Sequence, residues 1–362
     1  MSNVLLGKKG VLVFLLFLMV LFSFACSREA SNPDVIDATP TPLDEELKDE
    51  NELDEDELEE DDELEERDYA LENFEFPTEG TRPYAVMIDN AGSEVLPQGG
   101  LHLAQVIYEI IVEGGETRLM PVFWNQEPSM IGPVRSSRHY FLDYSMEHDA
   151  IYVHIGWSPM AKSDIPRFGI TNINGVAGVF WDITDDPYNW QDSYTSKEKI
   201  EDYVERANPR TTTDKEQVFN YSDEAVVLKN GERAEEINLK YSWVMSSSYS
   251  YDADKEIYFR FRKDEPHMER VSDKQLTAKN IIIQLVNNYT IKGDNKGRQE
   301  VNTVGSGKGY YITNGKYIEI TWSKSSRTDK TKYFDEDENE ILLNPGQTWV
   351  QIFPMNGSVE IE

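Results

Sequence analysis

Apolar and polar positions fall in blocks along this chain, and the blocks predict its organisation. Residues 11–24 are almost wholly apolar, broken only by Ser23, and they follow Lys8 and Lys9. That is the layout of a secretory signal with a short hydrophobic region. The run is shorter than the roughly 20 residues that span a bilayer as a helix. From Ser27 to about Asn73 apolar positions are sparse, and Leu43, Leu47, Leu53, Leu58 and Leu64 keep no helical period. Such a stretch has too little apolar surface to offset the entropy of ordering, so it reads as a disordered tether.

Beyond Phe74 the pattern is that of folded protein. Residues 84–88 form a continuous apolar run, expected for a buried strand, and end in Asp89 and Asn90. Residues 106–112 and 117–124 flank Glu113-Gly-Gly-Glu116 and predict a hairpin with Glu109, Ile111 and Glu113 on one face. A helix is predicted over 135–148, its apolar side formed by Tyr140, Phe141 and Tyr144. Strands follow at 150–155 and 178–182, then a helix over 196–207 capped by Ser196. From Gln217 strands dominate, at 237–245, 256–262, 280–286, 308–313, 316–322 and 348–353. Asn314-Gly315 is the strongest short hairpin signal among them.

The expected class is therefore α+β. A signal peptide over 1–25 precedes Cys26 and an acidic tether over 26–73. An N-terminal α/β-type domain over 74–212 is followed by a mostly antiparallel β domain over 217–362.

Charge sharpens this picture. The chain has 362 residues and a net charge of −32, a surface that repels nucleic-acid phosphates. From Asp44 to Asp68 there are 18 Asp and Glu against Lys48 and Arg67, so half of the net charge sits in the tether. Like charges extend such a linker, and its 47 residues (27–73) reach on the order of 150 Å when fully stretched. Cys26 is the only cysteine, which excludes an intrachain disulfide. Ser23-Phe24-Ala25-Cys26 resembles a bacterial lipobox, although Ser23 and Phe24 depart from its usual Leu and small residue. The resemblance implies that Cys26 carries a diacylglyceryl group and further acyl chains of the palmitate type. Two or more acyl chains anchor stably where one is marginal. The expected address is the extracytoplasmic face of the cell membrane.

Several strings resemble the YerB-like lipoprotein family, a two-domain family of unknown function found largely in Gram-positive bacteria. In the first domain they are Arg82-Pro-Tyr-Ala-Val-Met-Ile-Asp-Asn90, Tyr108-Glu-Ile-Ile-Val-Glu-Gly-Gly115 with Thr117-Arg118, and Ile131-Gly-Pro-Val-Arg-Ser-Ser-Arg138. In the second they are Arg262 with Pro266-His267, Gly305-Ser-Gly-Lys308, Thr321-Trp-Ser-Lys324 and Asn344-Pro-Gly-Gln-Thr-Trp349. The resemblance implies location and two-domain architecture, and it supplies no reaction. Where the family tends to show Pro-His-Asn, this chain has Pro187-Tyr188-Asn189.

Candidate chemistry is sparse. The five His, at 102, 139, 148, 154 and 267, form no metal-ligand pair of the HExxH kind, so no metal or cofactor is expected. Gly305-Ser-Gly-Lys308 lacks the spacing of a phosphate loop and reads as a hairpin turn between strands. Arg135-Ser-Ser-Arg138, if it opens a helix, sets two guanidinium groups on one face beside free backbone N–H groups, an arrangement that binds anions. Arg118 adds a third donor, Asp89 ends a buried strand, and His154 lies in an apolar strand. These five form the expected ligand-facing patch. The competing readings are structural ion pairs of the Arg with Glu109, Glu113 or Asp89, a turn role for Asp89 and a core role for His154. The expected function is a lipid-anchored binding or scaffold module for an envelope protein or anionic wall component. The rival is a glycan hydrolase or transferase using Glu109 or Glu113 with His154. The Cα atoms of the two Glu would lie about 13 Å apart along a strand, against the roughly 5–9.5 Å that glycosidase carboxylates need.

Overall fold

The computed structural model describes residues 71–362. The expected signal segment, Cys26 and the tether as far as residue 70 lie outside the described residues. The fold is α+β, and the described residues form three α-helices of nine to eleven residues, His139–Glu147, Pro159–Arg167 and Lys197–Ala207, among many strands.

The predicted hairpin forms. Val106–Ile111 and Thr117–Phe123 pair antiparallel, with Val106 opposite Val122 and Ile111 opposite Thr117. Gly114 and Gly115, both at positive φ, turn the chain between them. Tyr84–Val86 adds to the far side of this hairpin, and Ile151–His154 pairs parallel with Tyr84–Val86.

The near side of the hairpin carries the main finding about architecture. Thr348–Pro354 pairs parallel with Val106–Ile111 on one edge and parallel with Asn280–Val286 on the other. Asn280–Val286 then continues antiparallel into Gly305–Thr313 and Lys316–Lys324. Strands from both halves of the chain therefore lie in one 12-stranded mixed sheet. Thr348–Pro354 is buried at every position, as a strand covered on both faces must be.

Successive residues of Val106–Ile111 point to opposite faces, and so show what covers each. Tyr108 meets Tyr144 of the His139–Glu147 helix, ring centroids 5.0 Å apart. Glu109 faces the other way, onto a second sheet. That sheet is antiparallel and six-stranded, ordered Glu265–Pro266, Ile257–Arg262, Ser246–Asp252, Glu236–Lys240, Ser358–Ile361, with Thr277–Ala278 also on Ile257–Arg262. It seats Tyr241 against Phe353 and Tyr249 against Trp349. Glu236–Lys240 alternates exposed and buried, with Ile237 and Leu239 inward. Burying such a side chain contributes about 1.5–3 kcal/mol.

Four expectations change. The first helix begins at His139, not Arg135. Residues 134–137 are extended because their backbone bonds to strands on both sides: Arg135 N–H donates to Met87 O, Ile155 N–H to Arg135 O, and Ser137 N–H to Gly156 O. The helix Pro159–Arg167 was not predicted; Ser158 caps it by accepting from Ala161 N–H, and Pro166 sits inside it. The predicted strand over 237–245 stops at Lys240, where Ser242 Oγ accepts from Val244 and Met245 N–H and turns the chain. Gly305–Lys308 is no turn but part of a strand, paired with Thr321–Lys324. Its glycine at 307 leaves room for the Trp322 indole, which a Cβ would approach to 2.7 Å.

Candidate functional site

Four of the five patch residues come together. Asp89 ends its short strand opposite Arg118 of Thr117–Phe123. Arg135 and Arg138 arrive on the extended segment before the first helix. Asp89 Oδ2 pairs with Arg135 Nε at 2.8 Å. Glu113, on the hairpin turn, takes both Nε and Nη2 of Arg138, the former at 2.9 Å, and lies 3.9 Å from Arg118 Nη2. Arg118 Nη1 donates to Ser136 O, while its Nε has no hydrogen-bond partner among the described residues.

These contacts bear directly on the helix-terminus reading. With residues 135–138 extended, the Arg135 and Ser137 N–H groups are engaged by Met87 O and Gly156 O, and the Arg135 and Arg138 side chains diverge to different carboxylates. What remains is a charge imbalance: three guanidinium groups face two carboxylates. Burial would raise the Glu113 carboxyl, but the hydrogen bond and charge of Arg138 and the charge of Arg118 override it and hold it at about 2. Burial, then repulsion from Arg138, pulls Arg118 down to about 10 against the attraction of Asp89 and Glu113. A low-dielectric setting amplifies both effects.

The accessible edge of the cluster is aromatic. The Trp190 ring lies 4.0 Å from the Arg135 guanidinium carbon, a cation–π contact. Gln191 donates to Asp89 Oδ2 at 3.1 Å. Trp190 is 68% exposed and Tyr188, two residues away, 86%. Single exposed apolar residues are ordinary; two aromatic side chains on one loop beside a cationic cluster are less so.

His154 does not join the cluster. It is fully buried, with Nδ1 2.7 Å from Gly156 O and Nε2 3.0 Å from the Asn172 amide. Burial, only partly offset by the bond to Gly156, lowers its pKa to about 4. It is a neutral core histidine. Glu109 is likewise enclosed: Oε2 pairs with Arg260 at 2.6 Å, and both side chains have zero exposure. Glu109, Glu113 and His154 thus have three separate sets of partners. Among the described residues no group of three or more His, Cys, Asp or Glu could hold a metal ion.

Sequence reasoning missed the polar network between the two sheets. Arg260 donates to Glu109, to Ser247 Oγ at 2.9 Å, to Tyr249, and to His267 Nδ1 at 3.0 Å. His267 Nε2 then meets Gln98 Oε1 at 2.7 Å, which places its proton on Nε2. Gln98 bonds Asn90, and Arg262 bonds Asn90 Oδ1 at 2.9 Å. On the opposite face Lys324 pairs with Glu147 at 2.7 Å, and Arg327 bridges Asp143 and Asp164, each at 2.7 Å. A signal was present. Asn90, Glu109, Arg262, His267 and Lys324 all belong to the strings on which the family resemblance rests.

Two surface hollows lie elsewhere. One, of about 920 Å³, is bordered by residues from Ser222 to Glu232, 311–319 and 335–342. The other, of about 430 Å³, adjoins the exposed Trp243. None of the five patch residues lines either.

Layered sheets joined by buried ion pairs define a two-sheet α+β protein. The chain belongs to the DUF3048 family, described as a protein of unknown function: its N-terminal domain matches residues 73–210 and its C-terminal domain residues 237–350. It is 30% identical over 282 residues to "Putative lipoprotein YerB" of Bacillus subtilis, covering 75% of this chain and 81% of that protein. It is also similar to the crystal structure of the YerB protein from Bacillus subtilis, at TM-score 0.69 and 27% identity, covering 79% of this chain and 98% of that one.

Proposed function

We propose that this protein is a lipid-anchored component of the cell envelope, held at the extracytoplasmic face through Cys26, and that its folded part binds an anionic group of a wall component or partner protein. The anchor rests on the position of the chain's one cysteine at the end of the apolar run, and on the lipoprotein name of the Bacillus subtilis relative. Among the described residues no helix is long and apolar enough to cross a membrane.

The binding surface is Arg135 with Trp190 and Tyr188, backed by Arg118 and Arg138. One observation carries it, the surplus guanidinium: Arg118 is 5% exposed, has an unpartnered Nε, and shares two carboxylates with two other Arg. An arriving carboxylate or phosphate supplies the missing negative charge, and Trp190 covers whatever carries it. The test is the melting temperature in inorganic phosphate or acetate at constant ionic strength. The wild-type protein is expected to gain stability with anion concentration, as any ligand of the folded state confers. Arg118→Met leaves two Arg for two carboxylates, so it folds with little loss and its response to anion disappears. Equal responses in both proteins would refute the site.

A further inference from the structure

The hollow of about 920 Å³ lies over a break in the edge of the central sheet. The outer edge of Lys316–Lys324 pairs at one end with Glu232–Arg233, through Tyr317 and Lys316. At the other end it pairs with Lys332–Phe334, through Thr321, Trp322 and Ser323. Between them Ile318, Glu319 and Ile320 have no strand partner on that edge among the described residues. Alternate residues of an antiparallel strand present N–H and C=O to each side, so at least one of the three directs both groups into the notch. Natural sheets rarely leave such an edge open without covering it.

The lining of the notch indicates what fits there. Val227, 63% exposed, and Leu342, 47% exposed, stand at its sides with Ile318 and Tyr317 between. Its charges are one-sided: Glu232, Glu319, Asp335, Glu336, Asp337 and Glu340 against Lys229. Asp335 is held by its own turn, accepting from Asp337 and Asn339 N–H. The chain's own acidic tether is repelled by such a rim, so the occupant is another chain of opposite charge.

We propose that this notch binds a short extended segment of a partner protein, paired as a strand to Ile318–Ile320, with apolar side chains against Val227 and Leu342 and Lys or Arg side chains against the acidic rim. Strand addition of this kind takes affinity from main-chain bonds and specificity from alternate side chains. Three residues span about 10 Å, so the segment pairs over roughly three residues and leaves the sheet plane beyond them.

The probe is a fluorescent peptide of alternating Lys and Val, measured by anisotropy against the folded chain, beside its Glu and Val counterpart. The Lys peptide is expected to bind, with affinity falling at least tenfold in E319K/E340K, and the Glu peptide to bind at least tenfold more weakly. Methylating the amide nitrogens of odd or of even residues separates strand pairing from charge attraction, since only one set faces the protein edge. One methylated series should lose binding and the other keep it. Failure of the Lys peptide to bind at millimolar concentration would overturn the proposal. Equal binding of the two methylated series, or of the Lys and Glu peptides, would also overturn it.

Discussion

Removing the Arg260 guanidinium should be the most damaging single change in this fold. Arg260 is enclosed between the sheets, 4.0 Å from the Trp349 ring and bonded to Glu109, Ser247, Tyr249 and His267. Arg260→Met keeps much of the volume and leaves the Glu109 carboxylate fully buried without its cation. Asn90, Thr117 and Ser247 still donate to it, at 3.3, 2.7 and 3.3 Å, but none brings charge. Stranding a buried ion in this way costs about 3–5 kcal/mol. Domains commonly have a total stability of about 5–15 kcal/mol, so the variant is expected to be marginal. The double variant Glu109→Gln/Arg260→Met removes both charges and keeps an amide for Thr117 to bond. It should recover most of the loss, so the two substitutions are strongly non-additive. Urea unfolding followed by tryptophan fluorescence measures both, with Trp349 as a reporter at the site. A loss below about 1 kcal/mol in R260M, or a double variant no more stable than the single, would show that the pair does not carry the interface.

Acid should unfold the protein from a higher pH than its carboxylates alone suggest. Burial lowers His148 and His154 to about 4 and His267 well below its ordinary value, so the unfolded chain takes up three protons that the native one refuses. Asp143 opposes with one proton, because burial lifts its carboxyl to about 6. Stability from the histidines is complete above pH 6.5 and falls as pH drops toward 4, at a net slope of about 3 kcal/mol per unit. Urea midpoints measured between pH 7.5 and 4.5 give the slope, and His154→Gln should reduce it by one proton's worth. Gly315→Ala is expected to destabilise by about 1–3 kcal/mol, because position 315 has φ 71° and a Cβ there meets the Tyr251 ring at 2.7 Å. Thermal melting checks it, and an unchanged midpoint would contradict the turn geometry.

What the sequence disclosed follows how local each signal was. Asn314-Gly315 was legible because both residues adopt positive φ, as a two-residue hairpin turn requires. Ser196 was legible as a cap, and its side chain accepts from Lys199 N–H. Ser246–Asp252 was not, since a strand of Ser and Tyr with a serine, Ser247, turned inward lacks apolar alternation. Pro159–Arg167 was hidden by Pro166, which reads as a helix breaker yet sits in the last turn. Residues 135–138 were misread because helix propensity cannot register backbone bonds to Met87 and Gly156. The candidate patch was half legible: the Arg clustering was visible, but not the pairing that leaves Arg118 in surplus. Nor was the partnership of Glu109 with Arg260, 151 positions away.

The placement of Thr348–Pro354 has a consequence for how the molecule comes into being. This strand lies between two neighbours that are both synthesised before it. Until it emerges, Val106–Ile111 and Asn280–Val286 each face an empty lane, and the sheet remains in two pieces. Closure over so long a sequence separation is slow. A chain that lacks it is open along both lanes, a form prone to edge-to-edge association. A chain that ends before residue 348 stays in that state, so the last long strand decides whether the two pieces become one sheet.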